Sequence, residues 1–265
     1  MRSVKFLIKK HFWRRLGRAF VEATNDGCLG CAKGAAYSAL LSIFPALSTL
    51  AAVLSQVKAE AVSEKVAELL FGVAPPGTED LLRFAITVRG QRPAYLLIGA
   101  ILLCVIGASG VVLSLVDGFQ FAYRVRNRRN FWRQRGIAML LVFVMATPAL
   151  CAAALIVFFK SALIYIPAVF AVGVSTLLLY RFGPDLPPDL RQAPIWPGAI
   201  VATFVWMVAT VMFVWYLRNL ANYNVVYGSI GAVVALLVWL YLLAASTLIG
   251  CEYNAERMRE DLRPA

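Results

Sequence analysis

The chain has 265 residues, of which 61% are hydrophobic and only 15% are charged, and its mean hydropathy is +0.74. These values exclude an ordinary water-soluble globular protein and are typical of an integral membrane protein. The formal net charge of +12 would suggest nucleic-acid binding in a soluble protein, but in a membrane protein basic residues follow the bilayer surface instead.

Six windows of the chain contain no Asp, Glu, Lys or Arg. Each is long enough to cross a bilayer, because about 20 residues with a rise of about 1.5 Å each span the roughly 30 Å hydrocarbon layer. We therefore predict an all-α membrane protein, a polytopic bundle of six transmembrane helices. The predicted spans cover about 35–56, 94–118, 137–159, 162–180, 198–217 and 230–251. They form one membrane domain, 34–256, between a basic cytoplasmic segment, 1–33, and a cytoplasmic tail, 257–265.

The distribution of basic residues indicates the orientation of these spans. Most of the 26 Lys and Arg lie on the side that holds segment 1–33, the connection after span two and the tail. Because Lys and Arg are enriched in short cytoplasmic connections, we predict that both termini are cytoplasmic.

In chain order, the first predicted element is a helix over 4–20, with an apolar flank opposite a basic face. The flank consists of Val4, Ile8, Phe12, Leu16 and Phe20. We interpret this element as an N-terminal interfacial helix on the anionic cytoplasmic leaflet, with nucleic-acid contact as the alternative. Cys28 and Cys31 follow it as a CxxC pair. Tetrahedral zinc needs four ligands and the only histidine is His11, so we predict no metal site.

Span one and the connection after it are the next two elements. Span one contains Tyr37, Ser38 and Ser42, which makes it polar for a helix that contacts only lipid, so we predict that it faces other helices. The connection 57–93 combines apolar and charged residues at helical spacing and is interrupted by a Pro-Pro pair. We predict a periplasmic-side helical hairpin there, which serves either as a cap over the bundle or as a gate.

Span two contains Ser109 and ends near Asp117, the only acidic residue inside a predicted span. A carboxylate costs about 2.5–3.5 kcal/mol at the centre of a membrane helix and less near its end, so it needs a partner or a function. Arg124 lies on the same helix face but about 10 Å further along the axis, so a direct ion pair requires a bend. Asp117 is therefore either a ligand or proton site or a structural group.

The two ends of span six are rich in polar residues. The segment before it gathers amide and phenol groups that can bind head-group phosphates or sugars, or can hold a tight turn. These groups are Asn219, Asn222, Tyr223, Asn224 and Tyr227. Glu252 and Asn254 follow span six directly, where lipid head groups, Lys33 or the loop 124–135 can meet them. Anchoring by salt bridges is the simplest role for these two residues.

Three stretches of the chain resemble a known family. They are YSALLSIFP at 37–45, the run 107–123 with the basic residues and Phe-Trp-Arg that follow it, and 216–254. They are similar to the YihY/virulence factor BrkB family of inner-membrane proteins, some members of which are labelled ribonuclease BN. The chain departs from the pattern at Cys251 and Tyr253, where the family leads us to expect Ala and Leu.

The resemblance implies a multi-pass protein of six spans in a bacterial inner membrane, and some family members are linked to serum resistance or envelope-lipid export. The ribonuclease label is not favoured by the residues. Metal-dependent RNA hydrolysis needs clustered carboxylates or histidines, whereas the acids of this chain are scattered. We therefore expect no enzyme activity, no cofactor and no nucleic-acid partner.

Two functional hypotheses follow. The first is a transporter or flippase of a lipid-like envelope component, with a lateral, partly polar cavity lined by Ser38, Ser42, Ser109 and Asp117. The second is a non-transporting membrane scaffold or envelope-integrity protein, a closed bundle that binds lipid or a partner. The expected partners are membrane lipids, including the lipids of the anionic cytoplasmic leaflet, which the basic segments would bind. The sequence does not decide whether the chain also forms a homo-oligomer. The candidate substrate-binding residues are Tyr37, Ser38, Ser42, Ser109, Asp117, Arg124, Asn219, Asn222, Tyr223, Asn224, Tyr227, Glu252 and Asn254.

Overall fold

The computed structural model describes residues 2–56, 94–125, 130–158, 165–186, 193–219 and 228–261. In these ranges the regular secondary structure consists of seven α-helices and no strand. The helices are α1 (Arg2–Asn25), α2 (Cys28–Gln56), α3 (Ala94–Ala122), α4 (Phe131–Phe158), α5 (Tyr165–Phe182), α6 (Trp196–Asn219) and α7 (Gly228–Asp261). The prediction of an all-α fold is therefore confirmed for the part of the chain that the structure describes.

Four described stretches are long and apolar enough to cross a membrane: Ile98–Ala122, Phe131–Ala152, Trp196–Leu217 and Val233–Asp261. Shorter apolar stretches lie in α2, at Cys28–Ile43, and in α5, at Ile166–Phe182. The prediction of several membrane helices is thus confirmed, whereas the number of six and the orientation of the termini stay predictions. The hairpin predicted for 57–93 lies outside the described residues.

A glycine turn joins α1 to α2. Gly27 has φ +77°, a left-handed conformation that glycine adopts without steric cost, and it lies two residues after Asn25, the last residue of α1. Residues 28–33, which the sequence places in the basic segment, therefore form the first turns of α2. The small residues Ala19 and Ala23 of α1 are fully buried, whereas Phe20, which the sequence places on the apolar flank, is 57% exposed.

The last helix continues beyond the predicted end of span six to Asp261. It crosses α6 very closely, because a Cβ atom added at Gly198 would clash with the carbonyl oxygen of Gly250. The side chain of Asn254 reinforces this crossing. Its Oδ1 accepts a hydrogen bond from the Gly198 N–H at 2.8 Å, and its Nδ2 donates to the Ile195 carbonyl at 2.8 Å. Asn254 therefore holds the start of α6 against α7.

Candidate functional site

The α2–α3 seam is a close contact between small residues of two helices. A Cβ atom added at Gly107 would lie 2.7 Å from the Cβ of Ser42, and one added at Gly34 would lie 3.2 Å from the Oγ of Ser114. The seam consists of Gly34, Ser38 and Ser42 of α2 and of Gly107, Gly110 and Ser114 of α3. Its α2 members recur at every fourth residue and so share one helix face. Small residues at this spacing let two membrane helices approach closely.

The seam is held by packing rather than by hydrogen bonds between side chains. The hydroxyl of Ser42 donates to the carbonyl oxygen of Ala39 in its own helix, at 2.8 Å. Ser109, which is fully buried beside the seam, likewise donates to Ile106 of its own helix at 2.7 Å. In the described part of the chain, no side-chain hydrogen bond joins the six seam residues across the contact. Separating the helices at these six residues would therefore break no such bond. Beyond them, the Cys28 thiol of α2 donates to the Gly118 carbonyl of α3 at 3.5 Å.

The seam lies at the edge of the bundle. On α2 the neighbouring side chains of Tyr37 and Leu41 are 60% and 55% exposed, and on α3 those of Ile106 and Phe121 are 46% and 40% exposed. In a membrane, exposed apolar side chains face lipid. Ser38 and Ser42, which were predicted to line a cavity, thus occupy a closed helix contact beside a lipid-facing surface.

Asp117 lies one turn beyond Ser114 on α3 and is partly buried. Its carboxylate accepts a hydrogen bond from the side-chain amide of Gln134 at 3.1 Å. Arg124 does not pair with it, because the chain turns after α3 and Arg124 has φ +53°. This conformation directs the Arg124 guanidinium to Glu22 at 3.1 Å and to Asp26 at 3.3 Å.

A second polar assembly joins α1 to the end of α7, and we call it the terminal ionic network. Arg15 contacts Glu260 at 2.6 Å, and Arg18 contacts Glu260 at 2.9 Å and Glu256 at 3.1 Å. Arg259 contacts Glu256 at 3.5 Å and also pairs with Glu252. Part of the basic charge of α1 is therefore neutralised by acids of the protein itself and not by lipid.

Glu252 is the buried end of this network. Glu252 is fully buried. Its partner Arg259 also donates a hydrogen bond to the Ala122 carbonyl at 3.0 Å. The second carboxylate oxygen of Glu252 and the hydroxyl of Tyr123 are buried and have no hydrogen-bond partner within the described ranges. Burial raises the pKa of Tyr123 well above its usual value, and the neighbouring Cys251 and Glu252 raise it further. Tyr123 therefore stays neutral beside the carboxylate.

Most residues of the terminal ionic network were not predicted from the sequence. Glu252, Glu256 and Glu260 recur at every fourth residue and therefore form one acidic stripe on α7. That spacing was the available signal, but it indicates an ionic partner only if the helix continues past the membrane edge. The basic residues of α1 supply that partner.

The other predicted site residues are separate from these two assemblies. Asn219 caps its own helix, since its Nδ2 donates to the Trp215 carbonyl at 2.9 Å. Asn222, Tyr223, Asn224 and Tyr227 lie outside the described residues. Among the residues that the structure describes, no three His, Cys, Asp or Glu side chains are grouped to hold a metal ion. All five cysteines are free thiols.

Comparisons with known proteins place the chain among membrane proteins. A family model described as Virulence factor BrkB matches residues 19–264. The chain is 29% identical over 242 residues to a protein of Bacillus subtilis (strain 168) named ribonuclease-like protein YfkH, which covers 83% of this chain and 86% of that protein. It is 28% identical over 247 residues to a UPF0761 membrane protein of Aliivibrio salmonicida (strain LFI1238), covering 85% and 77% of the two chains. No solved structure matches the chain.

Proposed function

This chain belongs to the virulence factor BrkB family and is an integral membrane protein, and on that premise we propose that it transports a lipid-like component of the envelope. The proposed path runs along the α2–α3 seam. The proposed setting is the bacterial inner membrane, with both termini in the cytoplasm.

The observation that carries this proposal is the polarity of the seam together with its position beside exposed apolar side chains. A lipid head group cannot cross the hydrocarbon layer unaided, because its polar groups lose their hydrogen bonds to water. An opened seam would offer it the hydroxyls of Ser38, Ser42 and Ser114. The acyl chains would stay in the membrane, next to the exposed side chains of Tyr37 and Leu41.

The energy source proposed for this movement is an ion gradient or the lipid gradient itself. The sequence contains no Walker motif for ATP binding. Asp117 is the acidic group closest along α3 to the seam and is our candidate for the proton-carrying residue. The proposal includes no enzymatic step and no nucleic-acid partner, so the ribonuclease-like name of the Bacillus relative is not carried over.

The test is translocation of a fluorescent lipid in liposomes that contain the purified protein and a native bacterial lipid extract. We expect the fluorescent lipid to move from the inner to the outer leaflet faster than in protein-free liposomes. Translocation at the protein-free rate, by protein whose circular dichroism and thermal unfolding show that it is folded, would refute transport.

A scaffold that binds lipid or a partner without transporting it is the second candidate. The closeness of the seam favours it, because a helix contact with Cβ distances near 3 Å is typical of permanent packing. The terminal ionic network also favours it, since it joins the first helix to the last. In the liposome assay this candidate predicts no translocation by folded protein.

A further inference from the structure

Arg135 of α4 places its guanidinium group against the middle of α3. Its Nη2 donates a hydrogen bond to the carbonyl oxygen of Ile106 at 3.3 Å. Ile106 is the middle residue of predicted span two, 94–118. Asp117, near the end of that span, is 11 residues further on, or roughly 16 Å along the helix axis. The guanidinium therefore reaches past the predicted membrane edge toward the centre of the span.

In the part of the chain that the structure describes, no acidic side chain pairs with Arg135. The hydrogen bond that it makes there goes to a neutral carbonyl. By contrast, Arg18 and Arg124 each contact two carboxylates. A guanidinium group has five N–H donors, so one carbonyl leaves most of them available for another acceptor. Arg135 therefore brings a positive charge to α3 without a protein anion to neutralise it.

The surroundings of Arg135 face lipid. Arg135 itself is partly exposed, and Ile106, Leu140 and Phe143 are all large apolar residues with exposed side chains. A cation without an anion is costly in the hydrocarbon layer, and a charged side chain found there often marks the path of a substrate. An arginine near a helix end can avoid this cost by turning its head group to the membrane edge. Arg135 lies near the start of α4 but contacts the middle of α3 instead, which is explained if it holds a charged group inside the membrane.

We propose that Arg135 binds the phosphate of an anionic phospholipid, of the phosphatidylglycerol class, while the head group moves along α3. Guanidinium groups hold phosphate oxygens through charge-assisted and often bidentate hydrogen bonds. Ile106 directly precedes Gly107, the seam residue that packs against Ser42, so the phosphate is held next to the proposed path. A head group with a net negative charge is favoured, because the cation of a zwitterionic head group competes with Arg135 for the same phosphate. The inference rests on the proposed function, since it names the class of lipid that would follow the seam.

The test is equilibrium binding of short-chain phosphatidylglycerol and phosphatidylcholine to the purified full-length protein in detergent micelles. We expect Arg135→Gln to weaken phosphatidylglycerol binding about tenfold, the size of one charge-assisted hydrogen bond, and to change phosphatidylcholine binding much less. Arg135→Lys keeps the charge but not the planar fork, so we expect it to weaken phosphatidylglycerol binding by a smaller factor. Arg133→Gln is the matched control. It removes one positive charge from an exposed residue of the same helix, and we expect unchanged binding of both lipids.

Two results would overturn the inference. One is a folded Arg135→Gln variant that binds phosphatidylglycerol as tightly as the wild type does. The other is an equal loss of affinity in Arg133→Gln, which would mean that only the net charge of the protein attracts the lipid. If Arg135→Gln does not fold, Arg135→Lys decides, and phosphatidylglycerol binding as tight as that of the wild type overturns the inference.

Because binding is measured without translocation, the lipid site and the transport activity can fail separately. Phosphatidylglycerol binding that depends on Arg135, in a protein that moves no lipid in liposomes, supports the site and refutes the transporter. Translocation by a protein whose phosphatidylglycerol binding does not depend on Arg135 supports the transporter and refutes the site.

Discussion

Glu252 is a fully buried carboxylate near the end of α7, and Arg259 is the cation that compensates it. Removing one partner of a buried ion pair leaves an uncompensated charge, which costs about 3–5 kcal/mol. We therefore expect Arg259→Met to lower the free energy of unfolding by about 3 kcal/mol. The measurement is unfolding of the detergent-solubilised protein, followed by tryptophan fluorescence.

The matched control for this prediction removes the charge from both partners. The double variant Glu252→Gln with Arg259→Met keeps the side-chain volumes similar and leaves no charge without a partner, so we expect it to recover most of the lost stability. If the double variant is as unstable as Arg259→Met alone, the destabilisation comes from lost packing of Arg259 and not from the uncompensated charge of the buried Glu252.

At the scale of single residues, the sequence located polar groups better than it paired them. Asp117, Arg124, Glu252 and Asn254 are all identifiable as unusual polar residues near the ends of apolar spans. Their partners depend on turns that the sequence does not specify. The left-handed conformation of Arg124, for example, directs it to α1 and away from Asp117.

At the scale of elements, the α2–α3 seam makes a prediction about glycine. Gly107→Ala adds a Cβ atom 2.7 Å from the Cβ of Ser42 and 3.1 Å from its Cα, so the helices must separate or shift. Overpacking of this kind costs typically about 1–3 kcal/mol, and we expect a loss of unfolding free energy in that range. Thermal unfolding in detergent measures it.

Gly99→Ala is the matched control on the same helix. A Cβ atom at Gly99 has no neighbour within 4 Å, and alanine is the better helix former, so we expect unchanged or slightly increased stability. Equal destabilisation by the two substitutions would mean that the seam is not a close contact.

Charge-free windows locate the membrane helices well, because charged residues mark where a helix leaves the hydrocarbon layer. Helix ends are located less well. The helix α7 continues to Asp261 because its acidic stripe meets Arg15 and Arg18 of α1, a contact between distant parts of the chain. The buried face of α1 escaped the sequence pattern for a related reason. The face of α1 that packs closely on the rest of the protein carries the small residues Ala19 and Ala23. The periodic pattern of large apolar residues instead predicted a buried face that includes Phe20.

At the scale of the whole molecule, the terminal ionic network and the α2–α3 seam have different expected roles. The terminal ionic network joins α1, the end of α3 and the end of α7 into one unit. The six seam residues are held together by packing alone. Resistance to separation is therefore expected at the network and opening at the seam. Family and membrane character were predictable from composition and motifs, but the closed seam was not, because it depends on which glycine faces which serine.

Lipid translocation by a protein whose seam can be locked tests whether the seam is the transport path. A Cβ atom at Gly34 would lie 3.7 Å from the Cβ of Ser114, within the range of about 3.5–4.5 Å that a disulfide needs. The variant Gly34→Cys with Ser114→Cys is reconstituted in liposomes and assayed oxidised and reduced, with oxidised wild type and the single Gly34→Cys variant as controls. If the seam is the path, we expect translocation at the protein-free rate when the disulfide is formed and faster translocation again after reduction. Equal translocation by the cross-linked and reduced forms would contradict it.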